Sequence, residues 1–191
     1  MDVDGSNGRY LTTGSFGGWF PQWSPDGSSI AIFSNDFDIW LVGTDGSNLR
    51  EIHDAPRRAR YLSWSPDGLS IIYSTSFNQF GDIFLLDVQS GSAIQLTDDP
   101  ALEVQPDWSP NGSRIVYMSR ADDSAGSLFT MNPDGTDKRA PLTNDTGSDF
   151  QFPSWSPDGA EIAHWRGGEL WAYEISSRAS RRVVGADAGR I

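Results

Sequence analysis

The chain has 191 residues, no cysteine and a formal net charge of −12. The missing thiols exclude disulfides and thiolate metal sites, and so acidic a surface repels phosphate, which argues against nucleic acid or an anionic membrane as a partner. The longest apolar runs, such as Ile83-Phe84-Leu85-Leu86, fall far short of the roughly eighteen residues of a membrane helix, so no membrane insertion is expected.

Most of the 26 carboxylates are Asp rather than Glu, and they accompany 20 glycines and 11 prolines. Asp, Gly and Pro are turn residues, and this composition reads as an all-β protein with many tight turns. One motif organises it. Trp23-Ser24-Pro25-Asp26-Gly27, Trp64-Ser65-Pro66-Asp67-Gly68, Trp108-Ser109-Pro110-Asn111-Gly112 and Trp155-Ser156-Pro157-Asp158-Gly159 recur every 41, 44 and 47 residues. That period suits propeller blades and also helical repeats. The apolar runs are short, β-branched or aromatic, and bounded by Gly, Pro and Asp, which selects strands.

In chain order, residues 1–13 read as strands C and D of a blade without its A and B, because Met1 to Thr12 aligns with Met131 to Thr143. Four complete four-stranded blades follow, over residues 14–53, 54–97, 98–143 and 144–185. In each, strand A ends at the motif Trp, which is expected to pack on the adjacent blade. Strand B is Ile30 to Phe33, Ile71 to Tyr73, Ile115 to Met118 and Ile162 to Trp165. Strand C is Asp38 to Val42, Asp82 to Leu86, Ser127 to Met131 and Glu169 to Tyr173; strand D is Leu49 to Ile52, Ala93 to Thr97, Lys138 to Thr143 and Arg181 to Val184. Strands B and C are apolar at consecutive positions, so each sheet is buried on both faces. Blades packed around a central channel provide that burial, and the expected fold is an all-β β-propeller. The motif itself is a type I turn. Ser offers an acceptor, Pro presets φ, Asp suits the third position and Gly takes the left-handed geometry.

These units resemble the TolB-type propeller repeat, a relative of WD-repeat propellers. The likeness extends to the Pro before the Trp (Pro21, Pro106, Pro153), to Asp45-Gly46 and Asp134-Gly135 after strand C, and to Leu96-Thr97 and Leu142-Thr143 closing strand D. Leu62, Asn111, Ser176-Ser177-Arg178 and His164 depart from the pattern. The resemblance implies a non-catalytic scaffold that binds protein or peptide, in the periplasm or outside a bacterial cell. Similar propellers also accompany serine peptidase domains or act as carbohydrate lyases, and these remain alternatives. No leader with a basic start and apolar middle precedes Asp2. TolB-like propellers have six blades, so the chain reads as part of a longer propeller, with self-association through its open ends expected.

No catalytic residue, cofactor or metal site is expected. There is no Gly-x-Ser-x-Gly run, and two histidines, His53 and His164, are too few for a lyase metal site. His164 reads as a packed strand residue and His53 as a solvated loop residue. Asp2 to Asn7 reads as a hairpin turn, since its Gly spacing does not suit a calcium loop. The A–B and C–D turns share one end of the ring and the variable B–C and D–A loops the other. Variable loops on a rigid frame are where binding sits. The expected binding residues on that face are Trp19, Arg57, Arg58, Arg60, Phe77, Phe80, Asp98, Asp99 and Asp149.

Overall fold

A computed structural model describes residues 8, 10–12, 17–55, 58–75, 80–121, 125–139, 142 and 150–184. Among them, every regular element is a β-strand. Blade one contains β1 (Gly18–Trp23), β2 (Ser29–Ser34), β3 (Ile39–Gly43) and β4 (Arg50–His53). Blade two contains β5 (Ala59–Trp64), β6 (Ser70–Thr75), β7 (Ile83–Asp87) and β8 (Ala93–Gln95). Blade three contains β9 (Leu102–Trp108), β10 (Ile115–Arg120) and β11 (Ser127–Met131). Blade four contains β12 (Phe150–Trp155), β13 (Glu161–Arg166), β14 (Glu169–Glu174) and β15 (Ala179–Val184). Each sheet is antiparallel and paired in sequence order. Blade three is three-stranded among the described residues. Its fourth-strand line is marked by a Thr130–Arg139 bridge and by the Leu142 amide bonding the Leu128 carbonyl at 3.0 Å.

The motif turns are built alike. The amides of Gly27, Gly68, Gly112 and Gly159 each donate to the Ser carbonyl three residues earlier at 2.9 Å, and each Gly has φ near +70°. Asp26 Oδ1 accepts from the Ser24 hydroxyl at 2.6 Å and the Ser28 amide at 3.0 Å. Asn111 Oδ1 accepts from the Ser109 hydroxyl and the Ser113 amide in the same way. The turn needs only an acceptor there, so Asn replaces Asp without loss. These bonds, the Ser hydroxyl first, hold Asp26, Asp67 and Asp158 below the ordinary carboxylate value.

Packing repeats as well. Ala31 and Phe33 of blade one meet Ile71 and Tyr73 of blade two; Ile72 and Ile83 meet Trp108, Ile115 and Tyr117; Val116 and Met118 meet Phe150, Ile162 and Tyr173. A fourth, smaller cluster on the outer face of blade one joins Ile30, Ile32 and Val42 to Leu11. Leu11 stands as a strand-D residue of a preceding blade would. A Cβ on Gly46 would lie 3.2 Å from the Leu11 carbonyl, as one on Gly91 would meet the Ile52 carbonyl and one on Gly135 the Leu96 carbonyl at 2.9 Å. The strands expected over Met1 to Thr12 lie largely outside the described residues.

The motif tryptophans do not share one degree of burial. Trp108 is 9% exposed, Trp64 and Trp155 are half-buried, and Trp23 is 62% exposed. Trp64, Trp108 and Trp155 pack against the preceding blade, and Trp64 Nε1 donates to the Gln22 carbonyl. Trp23 faces the side where the described residues offer little beyond Leu11.

Candidate functional site at the propeller axis

Strand A is the innermost strand of each blade: β1, β5, β9 and β12 contact one another in sequence. All four carry a bulge three residues before the motif Trp, between Trp19 and Gln22, Arg60 and Ser63, Val104 and Asp107, and Gln151 and Ser154. The bulged residues Phe20, Tyr61, Gln105 and Phe152 have φ of 53°, 54°, 58° and 52°. Bulky side chains rarely adopt this left-handed conformation, and such strain persists only where the surroundings enforce it. Here the bulge turns each residue out of the sheet plane toward its counterparts.

Tyr61 sits at the centre of the resulting arc. Its ring centroid is 6.0 Å from Phe20 in blade one and 6.0 Å from Phe152 in blade four. The second contact spans blade three, which requires both rings to stand near the axis. Gln105 fills the blade-three position, and its Oε1 accepts the Phe152 amide at 2.7 Å. Phe20 is 51% exposed and Phe152 49%, whereas Gln105 is buried. The arc is therefore a fixed, half-open aromatic surface.

Asp107 ties the inner strands together just beside it. Oδ1 accepts the Ser63 hydroxyl at 2.9 Å and Oδ2 the Trp155 amide at 2.8 Å, so one carboxylate bridges blades two, three and four. Burial pushes its pKa up, against the lowering effect of the Trp155 amide and the Ser63 and Ser154 hydroxyls. Its acceptors are engaged, and its role is to hold the bulged strands in place.

Six of the nine binding residues expected from sequence lie among the described residues. Trp19 is 59% exposed on β1, and its Nε1 donates to Asn35 Oδ1 at 3.2 Å. Arg58 is exposed, with its guanidinium 5.4 Å from the Phe37 ring centroid. Arg60 is half-buried on β5, next to Tyr61. Phe80 is 55% exposed, Asp98 is exposed, and Asp99 accepts Lys138 Nζ at 2.7 Å. Arg57, Phe77 and Asp149 lie outside the described residues. Among the described residues, no hydrogen bond, ion pair or ring contact joins Trp19, Arg58, Arg60, Phe80, Asp98 and Asp99 to one another. The arc through Tyr61, Gln105 and Phe152 was not among them. Setting the four repeats in register on the motif Trp gives the signal that finds it, a column three residues upstream with aromatic residues in three copies of four.

Both histidines are structural. His53 is not solvated as expected: Nδ1 bonds the Gly91 carbonyl at 3.0 Å, and the Tyr73 hydroxyl bonds Nε2 at 2.8 Å. The carbonyl requires a donor at Nδ1, which fixes the tautomer and makes His53 a strut between blades one and two. His164 is packed as expected, fully buried with its ring 5.4 Å from that of Phe150, and burial pushes its pKa down. No group of three or more metal-ligating side chains occurs among the described residues. Two depressions of about 550 and 620 Å³ lie at the tight-turn end, lined by Ser24, Asp26, Ser28, Asp45 and Asp67 among others. Oδ1 of Asp26 and of Asp67 there is bonded within its own turn.

A family model described as the TolB beta propeller domain matches residues 1–184. The chain belongs to the TolB β-propeller family. No curated protein matches it in sequence. Among solved structures it resembles a putative TolB from Agrobacterium tumefaciens, with a TM-score of 0.72 and 23% identity over 84% of this chain and 62% of that one. It also resembles an oligogalacturonate lyase in complex with manganese (TM-score 0.71, 14% identity, 90% of this chain and 54% of that one). A puromycin hydrolase mutant gives a TM-score of 0.72 at 18% identity, over 91% of this chain and 30% of that one. The chain thus spans less than two thirds of each, and at these identities the likeness is one of fold.

Proposed function

We propose that this TolB-family propeller is a non-catalytic scaffold that binds a protein or peptide segment at the loop-bearing end of its axis, in the periplasm or outside a bacterial cell. The aromatic arc carries the reading. Phe20, Tyr61 and Phe152 are held rigidly by strained bulges yet stay half-open to solvent, and pre-ordered aromatic surface binds at low entropic cost. Variable loops surround it, as on other rigid scaffolds whose loops recognise partners. The carbohydrate-lyase alternative finds little support, because His53 and His164 serve separate seams between blades. The test is an array of random dodecapeptides probed with the labelled chain. Phe20→Ala/Phe152→Ala should lose most retained peptides, while Leu69→Ala, on the exposed tight-turn end, should retain them. Equal retention by the two variants would refute an axial site.

A further inference from the structure

Arg60 is a cation on an inner strand for which the packing of blades supplies no partner among the described residues. It lies immediately before the bulge of β5, opposite Ser74 in register and next to the central ring of the arc. Its counterparts in the other blades, Trp19, Val104 and Gln151, carry no charge. Its Nε is buried, and its side chain has no hydrogen bond or ion pair with any described residue. This is unexpected in a chain with 26 carboxylates and 14 basic residues. Arg60 is half-buried, and a buried Nε–H without an acceptor is costly. The neighbouring inner strand β9 carries a buried carboxylate, Glu103, which is bonded by Thr97, feels Lys138 and leaves Oε2 without a partner; Arg60 is not among the groups that act on it.

We infer that Arg60 anchors a carboxylate of the bound segment, so that the partner is an acidic peptide: an Asp or Glu side chain, or a chain terminus, beside an apolar side chain that packs on Phe20, Tyr61 and Phe152. The inference rests on the axial-site reading above. A planar guanidinium presents paired donors that match a carboxylate, and the low-dielectric wall beside Tyr61 strengthens the bond. The overall charge of the chain repels acidic partners at long range, so selection falls on the few that can reach this arginine.

The dodecapeptide array tests it, with the chain, Arg60→Gln and Arg60→Lys compared by anisotropy, and circular dichroism confirming that each variant folds. Peptides retained by the chain should be enriched in Asp and Glu. Replacing the acid of the best binder by its amide should weaken binding about tenfold or more, the range for a charge-assisted hydrogen bond. Arg60→Gln should erase that difference while leaving the weaker, apolar part of the affinity, and Arg60→Lys should restore part of it, as a double-mutant cycle requires. If retained peptides show no acidic enrichment, or if the amide costs the same in Arg60→Gln as in the chain, Arg60 is not the anchor although the axial site stands. If no peptide is retained, the axial reading itself fails. Arg60-dependent binding of a polyuronate without any peptide would overturn the peptide assignment.

Discussion

Removing the motif tryptophan should cost far more in blade three than in blade one, although the sequence around it is nearly the same. Trp108 is 9% exposed and packs among Ile72, Ile83, Leu96, Ile115, Tyr117 and Met131, so Trp108→Ala leaves a cavity at the seam of blades two and three. Truncating a buried aromatic of this size costs about 3–5 kcal/mol. Trp23 keeps 62% of its surface in water, and the fraction it buries scales to about 1 kcal/mol or less for Trp23→Ala. A third variant separates area from polarity. The Trp108 Nε1 is buried with no partner. Trp108→Phe keeps most of the contact area and removes a donor whose burial costs about 1–3 kcal/mol, so it should lie much closer to the starting protein than Trp108→Ala. Urea unfolding followed by far-ultraviolet circular dichroism avoids the loss of the fluorophore, and an unchanged m-value shows that stability rather than the unfolding mechanism has shifted. Equal losses for Trp23→Ala and Trp108→Ala would refute the packing scheme, since the two differ only in what lies on the preceding side.

Glu103 is 3% exposed, and burial raises its pKa despite the Thr97 hydrogen bond that lowers it. A raised carboxylate favours the fold below the unfolded value, about 4.3, and that contribution is lost as pH rises through the folded value. Glu103→Gln should therefore gain on the starting protein as pH rises above about 4.3 in paired urea titrations; a variant that falls behind as pH rises would reverse the sign. Gly91 has φ +73°, and a Cβ there would strike the Ile52 carbonyl, so Gly91→Ala should cost about 2 kcal/mol or more in thermal or urea unfolding. Arg178 occupies the matching turn of blade four at φ +55°, and Arg178→Gly should stabilise by about 1 kcal/mol; a loss there would mean that its side chain makes up for the strain. Trp23 and Trp165, 62% and 46% exposed on the outer faces of blades one and four, should promote self-association. Light scattering at micromolar concentration should show Trp23→Ser/Trp165→Ser to be less associated than the starting chain, and an already monomeric starting chain would discount this contact.

The sequence by itself determined the blades. Each motif turn closes through bonds among residues at most five apart, such as Ser24 with Asp26 and Ser29, so local chemistry places every turn without reference to the rest of the chain. The short apolar runs then fix strands B and C, and their lack of alternation fixes burial on both faces. Even the departures were legible, since Asn111 serves as an acceptor just as Asp26 does. Burial of the tryptophans was not, because Trp23, Trp64, Trp108 and Trp155 share a motif and differ only in what stands on the preceding side. His53 reads as a loop residue until Tyr73, twenty positions later, is brought to its Nε2. The repeat column marks the residues of the axial arc, but tertiary structure decided that they meet. Phe20, Tyr61 and Phe152 carry no residue type that announces a left-handed bulge, and Tyr61 and Phe152 stand two blades apart along the chain. Their meeting depends on the curvature with which blades pack, a property of the seams between sheets and of the Asp107 bridge across three of them, which no single repeat encodes.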